Sequence, residues 1–234
     1  MAQPALVIAV PSKGRLKENA AELFERAGMS LRVKGHERGY RGQLEGLDDV
    51  EVEYTSAAEI VHQLKAGRVH LGITGEDLVR ETLTDVDGTV EFLKPLGFGH
   101  ADVIVAVPEC WLDVSRMADL EDMAAQFARA HGRPLRVATK YLNLTRRFFA
   151  KKGVTGYRIV ESVGATEATP ATGTSELIVD ITTTGTTLKA NHLKVLEDGL
   201  ILKSQAHLLE ARGGAWDERA AKRRDEILRR LEAV

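Results

Sequence analysis

The segment from Leu177 to Leu188 constrains this chain more than any other. Leu177, Ile178 and Val179 run into Asp180 and Ile181; Thr182, Thr183, Thr184, Gly185, Thr186 and Thr187 follow before Leu188 resumes helical spacing. An apolar run, a hydroxyl-rich turn with one glycine and a helical restart spell a buried strand, a tight loop and a helix start. Amides at a helix N-terminus lack intrahelical partners and carry partial positive charge, so a phosphate placed there accepts their hydrogen bonds, with threonine hydroxyls as further donors. Asp180 stands ahead of this cradle, where a carboxylate accepts from sugar hydroxyls. The implied ligand is a phosphorylated ribose. Threonine and glycine also build ordinary turns that bind nothing, but the apolar strand and Asp180 favour the ligand. Neither the P-loop pattern nor the dinucleotide glycine fingerprint occurs, so the cradle is of another kind.

Length and charge narrow the remainder. A chain of 234 residues suits one large or two small domains and buries roughly 70% of its extended surface on folding. Its 44% hydrophobic and 28% charged residues describe a soluble globular protein, and a net charge of -2 supplies no general attraction for nucleic acid or an anionic membrane. Cys110 is the only cysteine, which excludes an intrachain disulfide and suits the cytoplasm. Met1 to Val10 shows no secretory leader, and no segment reaches the ~20 apolar residues of a membrane span. His36, His62, His70, His100, His131, His192 and His207 form no zinc pattern with one another or with Cys110, so no metal ligands are assigned.

The order of elements predicts an α/β fold. Leu6–Val10 reads as a strand, followed by a helix through Leu16, Ala20, Leu23, Phe24 and Ala27 that Gly28 closes. Ser56 and Glu59 form a capping box before a helix ended by Gly67. Val69–Ile73 reads as a strand and leads to a helix around Leu78. A second series has strands at Ala101–Val107, Leu135–Ala138, Tyr157–Val160 and Leu177–Ile181, with helices at Leu120–Ala130 and Thr145–Lys152. Gly199–Leu209 reads as a strand, and Trp216–Val234 as a helix whose basic side, Lys222, Arg223, Arg224, Arg229 and Arg230, is a solvated face. The N-terminal sheet looks short of strands. The chain is therefore expected to cross out near Gly97 and return near Lys194, giving a discontinuous first domain (1–97 with 194–234) and a second domain (98–193) that carries the cradle.

Ligands of open α/β sheets bind beyond the carboxyl ends of strands. Four such loops carry chemistry. Lys13 and Arg15 flank Gly14 at a helix start, which suits a polyphosphate or merely a solvated turn. Gly75, Glu76 and Asp77 begin another helix, where Asp77 either caps or contacts a nucleotide. Lys140, Tyr141 and Asn143 precede a helix, and an aromatic beside an amide can receive a purine. Glu167, in Gly164-Ala165-Thr166-Glu167, either caps its own turn or joins Asp180 on adjacent ribose hydroxyls.

Together these loops resemble the short form of the ATP phosphoribosyltransferase (HisG) family. The marks are Pro11-Ser12-Lys13-Gly14-Arg15-Leu16, Gly72-Ile73-Thr74-Gly75-Glu76-Asp77, the run Ala138 to Arg147, and the run Ile178 to Asn191. The resemblance implies a pentosyltransferase that moves phosphoribosyl from 5-phosphoribosyl 1-diphosphate (PRPP) to N1 of the adenine of ATP, opening histidine biosynthesis. It implies two lobes like a type II periplasmic binding protein, an active site in the cleft between them, and Mg²⁺ bound mainly through substrate phosphates. Carried over to this chain, Glu167 and Asp180 hold the ribose hydroxyls, and Thr183, Thr184, Gly185, Thr186 and Thr187 the 5-phosphate. Lys13, Arg15, Gly75, Asp77, Lys140, Tyr141 and Asn143 take ATP, and Arg15, Glu167 and Asp180 are the catalytic candidates. The resemblance further implies no C-terminal regulatory domain, a homodimer, and a hetero-oligomer with a histidyl-tRNA-synthetase-like regulatory subunit of the HisZ type.

One departure stands out. Many members carry an arginine and Asp-Ile-Pro or Asp-Val-Pro where this chain reads Glu53-Tyr54-Thr55-Ser56-Ala57-Ala58-Glu59. Arg32, Arg38 or Arg41 is the hypothetical substitute; unchanged turnover after all three become alanine would remove that hypothesis. The alternatives are a two-lobed binding module without chemistry and a purine-type phosphoribosyltransferase. Ile181 after Asp180 disfavours the latter, whose loop typically follows two adjacent acids.

Overall fold

The computed structural model describes residues 5–33 and 40–234, in two compact units, Met1–Gly99 with Gln205–Val234 and His100–Ser204. The first unit begins β1 (Leu6–Pro11), α1 (Gly14–Arg26), β2 (Ser30–Val33), β3 (Arg41–Glu45), β4 (Val50–Thr55), α2 (Ala57–Lys65), β5 (Leu71–Gly75), α3 (Glu76–Thr82) and β6 (Val90–Pro95). The second contains β7 (Ala101–Pro108), α4 (Met117–His131), β8 (Leu135–Thr139), α5 (Leu142–Lys152), β9 (Tyr157–Glu161), a 3-10 turn (Thr166–Ala168), β10 (Leu177–Thr182), α6 (Thr186–Ala190) and β11 (Leu193–Ser204). The chain then completes the first unit with β12 (Ala206–Ala211) and α7 (Glu218–Glu232).

The first sheet runs β2-β3-β4-β1-β5-β12-β6, with β4, β1 and β5 parallel and the flanking pairs antiparallel. Its β1 is apolar throughout because both faces are covered. Leu6, Ile8 and Val10 pack with Phe24 of α1 and Ile227 and Leu231 of α7, while Ala9 packs with Ile60, Val61 and Leu64 of α2 and Val79 of α3. The second sheet runs β11-β7-β10-β8-β9. Val103, Val105 and Val107 of β7 meet Leu120 of α4 and Phe149 of α5; on the other face Ile104 and Ala106 share a cluster with Ile178 and Leu188.

Three sequence expectations are corrected. The first sheet is not short of strands: it has seven, and β2, β3, β4 and β6 leave a weak sequence signal because they are short and carry polar or charged residues between their apolar positions. The strand expected over Gly199–Leu209 is two strands in different sheets. The return to the first unit falls at Gln205 rather than 194, because β11 pairs antiparallel with β7 from Leu193 opposite Pro108 to Ser204 opposite Ala101. Only Gln205 separates β11 from β12, which pairs with β5 and β6.

Candidate functional site

In the second unit β10 is flanked by β7, antiparallel, and β8, parallel. Leu177 lies beside Val137 and Ile178 beside Ala138. Lys140 follows directly on β8, the parallel neighbour of β10. One Asp180 oxygen, Oδ1, accepts the Ile181 N–H at 2.8 Å, which leaves the carboxylate acceptor capacity for a ligand. Burial pushes the Asp180 carboxyl above the usual carboxylate range; the Ile181 N–H and the Lys140 ammonium oppose that, and Glu167 adds to it. Lys140, Glu167 and Asp180 are thus electrostatic neighbours.

Glu167 sits on the 3-10 turn, entered through two left-handed residues, Gly164 (φ 91°) and Ala165 (φ 49°). Hydroxyls brace that turn. Buried Thr166 donates to Ser162 Oγ at 3.1 Å, and Thr169 Oγ1 donates to the Thr166 carbonyl at 2.7 Å. The Ser175 and Thr169 hydroxyls are 2.7 Å apart; since the Thr169 proton is already engaged, Ser175 is the donor there.

The loop after β10 is likewise tied by its own hydroxyls. Gly185 N–H donates to Thr182 Oγ1 at 3.0 Å, the Thr184 and Thr186 hydroxyls lie 2.9 Å apart, and Thr183 Oγ1 donates to the His100 carbonyl at 3.4 Å. Gly185 occupies the N-cap of α6 in the left-handed region (φ 72°) and has no side chain to cap the helix. A Cβ there would meet no atom within 4 Å, so Gly185→Ala strains only the backbone, by about 1–2 kcal/mol. It is expected to lower affinity for a phosphorylated ligand several-fold and to lower the melting temperature by a few degrees, as that strain implies. Titration calorimetry beside a thermal melt tests this, and unchanged affinity would remove the loop from the binding site.

In the first unit, Thr55, Pro11 and Gly75 end the parallel neighbours β4, β1 and β5. The Ser12 N–H donates to the Thr55 carbonyl at 2.8 Å. Lys13 is the N-cap of α1, without a capping side-chain bond, and Lys13 and Arg15 are exposed. Gly75 pairs with Ala206 and is the N-cap of α3. Asp77, in the first turn of α3, is only 7% exposed, which suits the helix-start role better than reach toward a nucleotide. Ser56 Oγ accepts the Glu59 N–H at 3.2 Å, so the capping side chain forms as expected. Of the candidate substitute cations, Arg32 is bound to Glu45 at 3.0 Å and Arg41 pairs with Glu51 at 3.4 Å; Arg38 lies outside the described residues.

The structure brings Lys140, Glu167, Asp180 and Thr183–Thr187 to one end of the second sheet. Lys13, Arg15, Gly75 and Asp77 belong to the first unit. Tyr141 requires correction: it is 1% exposed and packs in the second unit's core, so its ring cannot stack a purine. An aromatic after a strand looks identical in sequence whether it turns outward or inward. Asn143, at the start of α5, is exposed. Thr182, which braces Gly185, carries no sequence signal beyond its membership in the hydroxyl run.

No helix among the described residues is long and apolar enough to cross a membrane. The HisG family model, described as ATP phosphoribosyltransferase, matches residues 56–233. The ATP phosphoribosyltransferase of Bradyrhizobium sp. (strain ORS 278) is 61% identical over 213 residues, covering 91% of this chain and 66% of that protein. This chain therefore spans just under two thirds of that relative's length. The ATP phosphoribosyltransferase of Agrobacterium fabrum (strain C58) is 56% identical over 230 residues, covering 98% of this chain and 99% of that one. Among solved structures, the ATP phosphoribosyl transferase (HisG:HisZ) complex from Thermotoga maritima superposes with TM-score 0.73 at 24% identity, over 97% of this chain and 96% of that chain. The alkanesulfonate-binding protein SsuA from Xanthomonas axonopodis pv. citri superposes at 0.54 and 15% identity, over 100% of this chain and 74% of that one. With its family model spanning most of its length and relatives more than half identical to it, the chain belongs to the ATP phosphoribosyltransferase family.

Proposed function

We propose that the chain transfers the 5-phosphoribosyl group of PRPP to N1 of the adenine of ATP, releasing diphosphate, as the first step of histidine biosynthesis in the cytoplasm. The observation that carries this is the end of the second sheet. There a glycine-capped, hydroxyl-tied loop follows a partly buried aspartate that has a second carboxylate and a lysine as electrostatic neighbours. In this reading Asp180 and Glu167 accept from the ribose 2- and 3-hydroxyls, and the amides and hydroxyls of Thr183–Thr187 hold the 5-phosphate. Lys13 and Arg15 take nucleotide phosphates at the start of α1.

The chemistry asks for position and charge rather than a nucleophilic side chain. As the bond from the anomeric carbon to diphosphate breaks, positive charge develops on the ribose, and two carboxylates beside it favour that charge. Adenine N1 already has a lone pair, so no strong base is needed. Holding donor and acceptor in line can contribute on the order of 7–11 kcal/mol.

Mg²⁺ belongs to this reading as a companion of the phosphates. A hard cation that keeps several waters asks the protein for only one or two carboxylates, and Asp180 and Glu167 are of that kind. Among the described residues no group of three or more His, Cys, Asp or Glu is placed to hold a metal ion. Bound there, Mg²⁺ would neutralise charge on the diphosphate.

A HisZ-type subunit is the proposed partner, supported by the HisG:HisZ complex named above, with a homodimer of this chain inside the assembly. Incubation with ATP, PRPP and Mg²⁺, with and without that subunit, should yield phosphoribosyl-ATP, followed by its absorbance. Binding of both substrates with no product in either arrangement would leave a binding module instead.

A further inference from the structure

Thr182 is the last residue of β10, and its backbone is fixed by pairing opposite Asp102 of β7. Its Oγ1 accepts the Gly185 N–H at 3.0 Å, a bond that runs from the end of a sheet strand to the left-handed residue of the loop (φ 72°). The Thr184 and Thr186 hydroxyls, by contrast, meet each other, and neither residue belongs to a strand. Side chains alternate between faces along a strand, so Ile178, Asp180 and Thr182 share one face of the second sheet. On that face Ile178 clusters with Leu188 of α6, which is 5% exposed. The loop is thus tied over the face that carries Asp180, by the Thr182–Gly185 hydrogen bond at its front and by Leu188 at its back.

Threonine suits the front tie, because its branched Cβ restricts χ1 and so fixes the direction of Oγ1. The bond also takes the Gly185 amide out of the donors left for a phosphate, so Gly185 serves a ligand through the shape of the turn. We infer that Thr182 is a positioning residue for the phosphoribosyl donor: it holds the loop over the face of Asp180, at the reach that one sugar sets between its ring hydroxyls and its 5-phosphate. This rests on the assignment of Asp180 and the loop to PRPP.

The test compares the unaltered protein with Thr182→Val, which keeps the branched shape and removes the acceptor, Thr182→Ser, which keeps the acceptor, and Thr187→Ala. PRPP, ribose 5-phosphate and ATP are titrated separately by calorimetry in Mg²⁺, each beside a thermal melt. Loss of one hydrogen bond between neutral groups corresponds to an affinity change of roughly three- to ten-fold. Thr182→Val is expected to weaken PRPP and ribose 5-phosphate by the same factor, because both carry the 5-phosphate, and to leave ATP unchanged. Thr182→Ser should restore most of the loss. A lower melting temperature with ATP and PRPP weakened together would overturn the inference in favour of a merely structural threonine. Failure of Thr182→Ser to restore binding would overturn it in favour of the methyl group. Weaker PRPP with unchanged ribose 5-phosphate would overturn it in favour of a contact on the diphosphate side. If Thr187→Ala weakens ribose 5-phosphate and Thr182→Val does not, this inference alone fails; if neither does, the assignment of the loop to the 5-phosphate fails with it.

Discussion

Asp180→Ala is expected to lower kcat by about 100-fold, the scale seen when one preorganised electrostatic contact to a transition state is removed, and kcat/KM for PRPP and for ATP with it. The same substitution should not destabilise the protein in proportion. Burial holds the Asp180 carboxyl above its ordinary value, so the folded state binds that proton more tightly than the unfolded chain does. Ionised Asp180 therefore costs stability once the pH exceeds its folded-state pKa, and the cost is relieved as the pH falls through it. Asp180→Asn, which keeps the shape and removes the charge, should raise the neutral-pH melting temperature while weakening PRPP. A lower melting temperature together with unimpaired PRPP use would show that Asp180 is a structural residue.

Glu176→Ala is expected to destabilise the second unit strongly for a charged side chain. Its side chain is 11% exposed and receives Arg133 Nη2 at 2.9 Å, Arg136 Nη2 at 2.6 Å and the Arg136 N–H at 2.7 Å. Burial pushes this carboxyl up, but the hydrogen bonds from Arg136 and Arg133 outweigh it and hold it down to about 2. A depressed carboxyl contributes stability that is complete above its unfolded value, 4.5, and is lost as the pH falls toward about 2. The substitution should cost about 2–4 kcal/mol at neutral pH, since it leaves two guanidinium groups without their carboxylate, and much less near pH 2. Urea unfolding at both pH values tests it. A cost below about 0.5 kcal/mol at neutral pH, the scale of an ordinary surface substitution, would mean the pair is no more than a surface contact. Arg136 also donates to the Gly173 carbonyl at 2.8 Å, so the clamp anchors the far end of the loop that presents Glu167.

The β-strands that sequence located best are those buried on two faces. β1, Val103–Val107 of β7 and Leu177–Val179 of β10 are continuous apolar runs, and such runs between turn signals are legible without partners. Val50–Thr55 alternates apolar and polar residues with strand period, yet its charges and those of β2 and β3 resemble a solvated loop. Ser56 with Glu59 and the glycine before α6 were legible because capping and left-handed turns are chemistry of adjacent residues.

From sequence alone came the α/β class, the strand, loop and helix start between Leu177 and Leu188, and the discontinuous character of the first unit, because periodicity and turn chemistry act over a few neighbouring positions. Only tertiary structure decided that β11 stays with β7 and that Tyr141 turns into the core. Strand register and side-chain burial are set by partners far along the chain, and no local pattern records which partner a strand will find.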